Sequence, residues 1–245
     1  MIIIKSPEEV AIMRQCGRIL AAILDKLRME LRAGITTRQL DTIMAKESRQ
    51  RGVDPSFKGY HGFPANLCVS VNDEIVHGIP GERVLRQGDI VSLDAGVILK
   101  GFHTDAAITV GVGEISQQAK ELIAVTECSL NAGIAQATKG AHIGDISAAI
   151  QTYAESRGFS VVREYTGHGV GRELHEDPQI PNFAFDKGPV LQEGMTLAIE
   201  PMVNAGGCRT KVAPNRWTVL TFDGKLSAHF EHTIAVTAGE PEILT

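Results

Sequence analysis

The sequence predicts an α+β domain built from two similar halves, each consisting of a helix followed by strands. Segments with helical periodicity alternate with short strand-like runs that glycine and proline interrupt. Residues 34–52 align without gaps on residues 140–158, and the same offset aligns residues 84–97 with residues 190–203. No proline- or serine-rich linker divides the chain, so we expect one closed, two-lobed domain over residues 1–245.

The similarity of the two halves has a consequence for the acidic residues. The offset is 106 residues, and it places Gly88 on Gly194 and Asp94 on Glu200. Two units related by a pseudo-two-fold axis would bring one carboxylate from each half to a shared cleft. Because helix, glycine and strand recur in many α+β chains, a chance match of the two halves remains an alternative.

Two helices are expected in the first 52 residues. Ser6 can cap a helix and Glu9 completes a capping box, after which apolar residues recur with helical spacing as far as Leu31. A second helix is expected to begin near Thr36 and to stop at Gly52, because glycine is a common residue at a helix C-terminus.

The remaining elements follow from the same signals. Residues 54–64 are rich in glycine and proline and predict a loop, whereas residues 67–71 and 90–93 predict strands. Two more helices are expected over residues 116–138 and 143–157.

Composition and charge exclude several classes of protein. Hydrophobic residues make up 43% and charged residues 22% of the chain, which is typical of a globular protein. The net charge of −5 argues against a main role in binding nucleic acid, since no basic excess is available to neutralise phosphates. Four dispersed cysteines without a Cys-x-x-Cys pair favour reduced thiols in the cytoplasm. No signal-peptide core or membrane span is expected.

Two aspartates stand out in the segment from Ile90 to Val110. Strand-like runs flank Leu99, Lys100 and Gly101, so we expect a hairpin. A turn centred between Leu99 and Lys100 would make Asp94 and Asp105 direct cross-strand partners. Paired carboxylates in apolar surroundings require protons or cations, and a pair of divalent metal ions would meet that requirement. Alternatively, one of the two aspartates faces solvent.

The second half of the chain supplies three further candidate ligands. Glu200 ends a hydrophobic run, Glu231 lies in an alternating segment, and His168 is flanked by glycines that would let the backbone approach a ligand closely. With Asp94 and Asp105, the set carries a formal charge of about −4, which two divalent ions would balance. Oxygen-rich ligands with one imidazole suit Mn, Fe, Co or Zn.

The order of these five residues resembles the metal site of the pita-bread-fold metallopeptidases. Four segments narrow the resemblance to the type I methionine aminopeptidases: YHGFP at 60–64, VHGIP at 76–80, GHGVGR at 167–172 and EHT at 231–233. The match covers nearly the whole chain. It implies two pseudo-symmetric α/β lobes around a strongly curved antiparallel sheet. The implied activity is removal of the initiator methionine from nascent proteins and peptides, with a preference for small second residues.

The resemblance also implies roles for individual residues. His77 would contact the substrate backbone, and His175 would hydrogen-bond the scissile carbonyl oxygen. Glu200 would ligate metal and carry a proton from the attacking water to the leaving amine. Asp94, with its metal ion, would receive the free α-amine of the substrate. The residues implied to line the methionine pocket are Tyr60, Phe63, Cys68, Leu174 and Trp217.

Further expectations concern ions and partners. The resemblance implies two divalent ions (Co, Mn, Fe or Zn) and one structural monovalent cation near Asn72 and Ser227. We expect a cytoplasmic monomer that acts on the N-termini of nascent chains, with contact to the ribosome and none to membranes or specific nucleic acids.

Two other functions are weighed against this one. A prolidase or aminopeptidase P on the same fold would usually carry a further N-terminal domain and would lack the pattern formed by Tyr60, Phe63 and Cys68. A non-catalytic binding module would typically have lost metal ligands, whereas this chain has all five, together with His77 and His175.

Overall fold

The computed structural model describes residues 1–245 and contains helices and an antiparallel sheet, as the α+β prediction requires. The four α-helices are α1 (Pro7–Glu30), α2 (Thr37–Arg51), α3 (Gln117–Ile134) and α4 (Ile143–Glu155). A 3-10 turn spans Tyr60–Gly62. The fifteen strands are β1 (Asp54–Pro55), β2 (Cys68–Val71), β3 (Glu74–Val76), β4 (Ile90–Leu99), β5 (Phe102–Gly111), β6 (Ser160–Val161), β7 (Thr166–Gly169), β8 (Glu176–Pro181), β9 (Thr196–Ile199), β10 (Met202–Asn204), β11 (Thr210–Val212), β12 (Val219–Thr221), β13 (Ser227–His229), β14 (Glu231–Ala235) and β15 (Glu242–Ile243).

The helix starts of the first half agree with the local sequence signals. The Ser6 hydroxyl accepts a hydrogen bond from the backbone N–H of Glu9, and the Glu9 carboxylate accepts one from the N–H of Ser6. Thr36 and Gln39 form the same reciprocal pair at the start of α2. Gly52 ends α2 with φ of 69°, a left-handed conformation that costs glycine little. None of the four helices combines the length and the hydropathy that a bilayer-spanning segment requires.

A nine-stranded antiparallel sheet runs through both halves of the chain in the order β1-β4-β5-β14-β9-β7-β8, with β2 beside β4 and β15 beside β14. Its centre is the pairing of β5 with β14, where Ala107 lies opposite Glu231. Helix α1 packs on β4 and β5, and α3 packs against α4 and the strands of the second half. One hydrophobic cluster lies under α1 and α2 and another under α3 and α4, so each half buries its own helices against the common sheet.

The same backbone contacts occur in both halves, 106 residues apart in the sequence. An isolated antiparallel bridge joins Thr36 to Val84, and another joins His142 to Val190. The loops preceding α2 and α4 also bond to the residue after each bridge in the same way, since the N–H of Gly34 donates to the carbonyl of Leu85 and that of Gly140 to the carbonyl of Leu191. Because these contacts fix how each helix docks on its strands, they give the two halves a common local geometry.

The structure corrects the expected register of the central hairpin. Leu99 pairs with Phe102, which places the turn at Lys100 and Gly101 rather than between Leu99 and Lys100. Both turn residues have positive φ, 50° and 79°, as a two-residue turn matching the strand twist requires. Asp94 therefore lies opposite Ala107, and Asp105 opposite Gly96. The two aspartates are diagonal neighbours on one face of the hairpin and not direct partners.

Two predicted helices are shorter in the structure. Helix α3 ends at Ile134 and not at Thr138, because the chain tightens there: the N–H groups of Gln136 and Ala137 bond to carbonyls only three residues back. Ala137 is buried in the core of the second half, so tertiary packing rather than a local stop signal ends the helix. Helix α4 ends at Glu155, two residues before the predicted end.

Candidate active site

A cavity of about 220 Å³ lies at the middle of the nine-stranded sheet and collects every site residue that the sequence predicts. Those residues are Tyr60, Phe63, Cys68, His77, Asp94, Asp105, His168, Leu174, His175, Glu200, Trp217 and Glu231. They come from both halves of the chain and from strands as well as loops, so only the folded sheet brings them together.

Asp94 and Asp105 occupy the middle of β4 and β5 and are only 8% and 4% exposed, so neither faces solvent. The backbone N–H of Asp105 donates to the Thr233 hydroxyl, which in turn donates to the Asp105 carbonyl. This reciprocal bond ties β5 to β14 beside the cavity. As a result the positions of both carboxylates are set by regular sheet pairing rather than by a mobile loop.

His168 lies on β7 with its ring held in one orientation. Its Nδ1 is 2.8 Å from the carbonyl oxygen of Gly169, and because a carbonyl only accepts, Nδ1 carries the proton. Nε2 is then left with a free lone pair, the usual arrangement for a histidine that binds metal.

The glycines beside His168 serve the packing of strands rather than the approach of a ligand. A Cβ on Gly167 would lie 2.4 Å from the carbonyl oxygen of Ala198, and one on Gly169 would lie 2.2 Å from that of Asp177. The expectation that they admit a ligand was therefore wrong. They allow β7 to lie close to its neighbouring strands.

Glu200 and Glu231 face the same cavity from the second half. Glu200 follows directly on β9, and its Oε1 is 3.4 Å from His168 Nε2. Glu231 begins β14 and is 2% exposed. One ligand atom each from Asp105, His168 and Glu231 lies within 4.8 Å of the other two.

The electrostatics of the cavity fit a cation. Burial, with the charges of neighbouring carboxylates, raises the pKa of Asp94, Asp105, Glu200 and Glu231 well above the usual range. Burial also lowers the pKa of His168 to about 3, so its imidazole is neutral. Asp94 Oδ1 and Glu231 Oε1 are buried without a hydrogen-bond partner. These buried oxygens lack partners and face the lone pair of His168. Carboxylate oxygens and a neutral imidazole nitrogen are ligands that divalent metal ions bind.

His175 lies beside this cluster, and Tyr60 holds its ring. The Tyr60 hydroxyl is 2.7 Å from His175 Nδ1. The ring of His175 also packs edge-on against that of His168, with centroids 4.2 Å apart. Burial and neighbouring histidines lower the pKa of His175 to about 4, so the ring is neutral near pH 7.

His77 has an unusual backbone conformation. Its φ of 60° lies in the left-handed region, which is rare for a residue with a side chain and is often associated with functional sites. The Thr218 hydroxyl donates to the His77 carbonyl, and the N–H of Gly78 donates to the Ser70 hydroxyl. These bonds hold the strained segment in place. Burial lowers the pKa of His77, which keeps the ring uncharged.

An apolar wall completes the cavity. The rings of Phe63 and Trp217 meet edge to face with centroids 5.2 Å apart. Leu174 and Cys68 are buried in the same small hydrophobic cluster. Cys68 pairs with Asp94 across β2 and β4, and burial raises the pKa of its thiol well above the ordinary value. The wall therefore offers aromatic rings and a protonated thiol to a side chain.

Three residues at or near the site received no role from the sequence. Phe57 and His61 line the cavity, and His61 belongs to the YHGFP segment at 60–64. His229 is buried with Nε2 3.5 Å from Glu200 Oε2. Its spacing of two from Glu231 was a usable signal, because alternate residues of a strand share a face, but the bend between β13 and β14 was not foreseeable.

The two residues implied for a monovalent cation lie next to each other. The backbone N–H of Ser227 donates to the carbonyl of Asn72, 2.9 Å away. The Asn72 side chain is engaged as well, since it accepts from the N–H of Ile90 and donates to Asp89.

Comparisons with known proteins agree with this geometry. The model of metallopeptidase family M24 matches residues 11–238. Methionine aminopeptidase 1 of Bacillus subtilis (strain 168) is 54% identical, over 100% of this chain and 99% of that protein. The crystal structure of a methionine aminopeptidase from Thermotoga maritima superposes with a TM-score of 0.98 at 47% identity, covering 100% of this chain and 99% of the other.

A more distant structure shares the fold alone. An Xaa-Pro dipeptidase from Bacillus anthracis has a TM-score of 0.82 at 24% identity, covering 99% of this chain and 61% of that chain. The fold is thus the pita-bread fold expected from the sequence, common to both kinds of enzyme. Sequence identity separates the two, because it is 54% to the Bacillus subtilis methionine aminopeptidase and 24% to the Xaa-Pro dipeptidase.

Proposed function

Because the chain belongs to metallopeptidase family M24, we propose that it removes the N-terminal methionine from peptides and nascent proteins by metal-dependent hydrolysis. The full-length identity to methionine aminopeptidases supports this activity. The observation that carries it is the cavity itself, in which four carboxylates and the imidazole of His168 face an apolar wall. The 245 residues would act as one catalytic domain.

Five residues would hold the metal ions: Asp94, Asp105, His168, Glu200 and Glu231. Their buried, unpartnered oxygens and the free lone pair of His168 support this role. Divalent ions bound there would polarise the scissile carbonyl and lower the pKa of the attacking water. Co, Mn, Fe and Zn all suit the donor set, and one monovalent cation would sit near Asn72 and Ser227.

Three residues would carry the remaining chemistry. Glu200 accepts the proton of the attacking water and delivers it to the leaving amine. His175, held by Tyr60, donates from Nε2 to the carbonyl oxygen as negative charge develops there. His77 binds the substrate backbone from its rigid, left-handed segment. Asp94 receives the free α-amine, which restricts the enzyme to chain ends.

The methionine side chain would lie against Tyr60, Phe63, Cys68, Leu174 and Trp217. A flexible, polarizable thioether packs well against aromatic rings, and the protonated Cys68 thiol adds no charge. The cavity is small, about 220 Å³, which favours a single unbranched side chain. The enzyme would work in the cytoplasm as a monomer, on chains emerging from the ribosome.

The proposal is tested by hydrolysis of Met-Ala-Ser, Lys-Ala-Ser and Ala-Pro-Ser, first by metal-stripped protein and then after Mn²⁺ or Co²⁺ is added. We expect metal-dependent release of methionine and no release of lysine. Cleavage of the proline peptide alone would assign the chain to the prolidase-like enzymes. If the protein binds metal and cleaves none of the three, it is a binding module.

A further inference from the structure

His229 is a buried histidine whose ring nitrogens have no hydrogen-bond partner. It ends β13 and is 1% exposed, and neither Nδ1 nor Nε2 contacts a donor or acceptor at hydrogen-bond distance. Buried polar atoms without partners are uncommon in native proteins, and each one calls for a physical reason. The roles proposed above for His77, His168 and His175 do not involve His229.

The backbone of His229 cannot withdraw from its position. The Thr109 hydroxyl donates to the His229 carbonyl, and the His229 N–H donates to the same hydroxyl, at 2.8 and 2.9 Å. Thr109 Oγ1 also lies 2.9 Å from the Ser92 hydroxyl. Thr109 on β5 therefore fixes both the N–H and the carbonyl of His229, and the imidazole ring projects from this fixed backbone.

The only carboxylate within 4.0 Å of the ring nitrogens is that of Glu200, and one ligand atom each from Glu200, His229 and Glu231 lies within 4.8 Å of the other two. His229 Nε2 is 3.5 Å from Glu200 Oε2, while Glu200 Oε1 is 3.4 Å from His168 Nε2. The two carboxylate oxygens thus face two different histidines. His168 lines the cavity and His229 does not, so His229 approaches Glu200 from outside the cavity.

The two histidines differ in where their protons can reside. Nδ1 of His168 donates to the Gly169 carbonyl, so its Nε2 has only a lone pair. Nδ1 of His229 has no acceptor, and nothing holds a proton there. With metal bound, the Glu200 group that faces Nε2 of His229 is an ionised carboxylate, which only accepts hydrogen bonds. The proton of a neutral His229 is therefore favoured on Nε2, a few tenths of an ångström beyond an ordinary hydrogen bond to Oε2.

We propose that His229 is a positioning residue for Glu200: its Nε2–H donates to Oε2 and holds the carboxylate so that Oε1 stays directed into the metal cavity. The inference rests on the proposed function, since Glu200 is there both a ligand and the proton carrier. Hydrogen bonds to ligating carboxylates fix their orientation, and their loss usually weakens metal binding or activity by about 10- to 100-fold.

The first experiment compares His229→Leu, which removes the donor, with His229→Gln, which keeps an N–H donor of similar reach. His232→Leu is the matched control, because His232 is half-buried on β14 and bonds to the Thr245 hydroxyl outside the cavity. Calorimetric titration of each metal-free protein with Mn²⁺ gives affinity and stoichiometry. Hydrolysis of Met-Ala-Ser by the same proteins gives kcat and KM.

We expect His229→Leu to bind Mn²⁺ about 10- to 100-fold more weakly and to lose kcat by a similar factor, with KM unchanged. His229→Gln and His232→Leu should stay close to the wild type. Wild-type affinity and kcat in His229→Leu would overturn the role, and so would a His229→Gln variant as impaired as His229→Leu. A stoichiometry lower by one ion would instead make His229 a ligand, which also overturns it.

A second measurement on the wild-type protein does not depend on the folding of any variant. Long-range ¹H–¹⁵N NMR spectra of the zinc-loaded enzyme with labelled histidine identify the protonated nitrogen of His229. The proposal requires a proton on Nε2, and a bare or metal-bound Nε2 would overturn it. If the wild type binds Mn²⁺ but releases no methionine, the proposed function fails while the metal affinities still test His229.

Discussion

In the proposed mechanism, the hydrogen bond between Tyr60 and His175 determines which nitrogen of the imidazole can act on a substrate. Burial raises the pKa of the Tyr60 phenol, so the hydroxyl keeps its proton and can donate to Nδ1. A neutral His175 then carries its proton on Nε2, and that N–H is free to donate to a carbonyl oxygen. Under the proposed mechanism, the Tyr60 hydroxyl therefore orients His175 for catalysis, while the ring lines the apolar wall.

The variant Tyr60→Phe tests this role, because it removes the hydroxyl and keeps the ring. One neutral hydrogen bond contributes about 0.5–1.5 kcal/mol, so we expect kcat for Met-Ala-Ser to fall about 2- to 10-fold with little change in KM. Steady-state kinetics measures both constants. Tyr153→Phe, on α4 and away from the cavity, is the control. An unchanged kcat would show that the hydroxyl does not set the tautomer of His175.

Glu200 has the most demanding of the proposed roles, since one side chain both ligates metal and moves a proton. Glu200→Gln keeps an oxygen in the cavity and removes the basic group. General acid–base catalysis contributes about 10²–10⁴-fold, so we expect kcat to fall by that factor while the melting temperature changes little. Turnover close to that of the wild type would rule out Glu200 as the proton carrier.

Among the elements, those specified by local chemistry agree best with the sequence. The capping box at Ser6, the helix start at Thr36 and the glycine stop at Gly52 depend on residues within one helical turn, and the structure confirms them. The hairpin register was wrong by two residues. Gly101 marked the turn, but Lys100 takes a positive φ that asparagine, aspartate or glycine usually provides, so the sequence did not show which residue precedes Gly101 in the turn.

Glycine in the middle of α1 shows a contact that no local rule predicts. A Cβ on Gly17 would lie 2.2 Å from the carbonyl oxygen of Leu244, near the other end of the chain. Periodicity identified the helix, but only the folded structure explains why a poor helix former stands at this position. The backbone of the C-terminal segment packs directly against this point of the helix.

Gly17→Ala should therefore destabilise the protein although alanine is the better helix former. Alanine gains about 1 kcal/mol in helix propensity, whereas overpacking against a fixed backbone typically costs about 1–3 kcal/mol. We expect a lower free energy of unfolding in urea titrations. Gln15→Ala, at an exposed position of the same helix, should stay within about 0.5 kcal/mol of the wild type. A more stable Gly17→Ala variant would contradict the close contact.

For the whole molecule, the proposed metal centre lies where the two halves meet. Asp94 and Asp105 come from the first half and His168, Glu200 and Glu231 from the second, joined by the pairing of β5 with β14. Local patterns and then the family resemblance indicated these five residues as candidate ligands from the sequence. The position of His229 beside Glu200 could not be predicted. It depends on how β13 packs against β10 and β5, which are distant in the sequence.

Because four carboxylates are buried side by side, the free energy of unfolding should depend on both bound metal and pH. Their raised pKa means that the metal-free folded protein holds protons that the unfolded chain releases above about pH 4. Folding then takes up protons, so the free energy of unfolding of the metal-free protein falls as pH rises. Bound metal replaces those protons and removes this loss.

We expect the gap in melting temperature between Mn²⁺-loaded and metal-free protein to widen between about pH 7 and about pH 8.5. This range lies above the ordinary histidine pKa of 6.5, so the buried histidines, whose depressed pKa values act in the opposite direction, contribute little. Calorimetric scans at fixed ionic strength measure the gap. A gap that narrows with rising pH would contradict the assignment of these carboxylates as ligands.

The most direct test of the central claim is anomalous diffraction at the manganese absorption edge, from crystals of the protein grown with Mn²⁺. The five residues assigned as ligands predict two peaks in the cavity, about 3.5–4 Å apart, each within coordination distance of their oxygen or nitrogen atoms. Strong peaks elsewhere in the protein with none in this cavity would contradict the metal centre and the function derived from it.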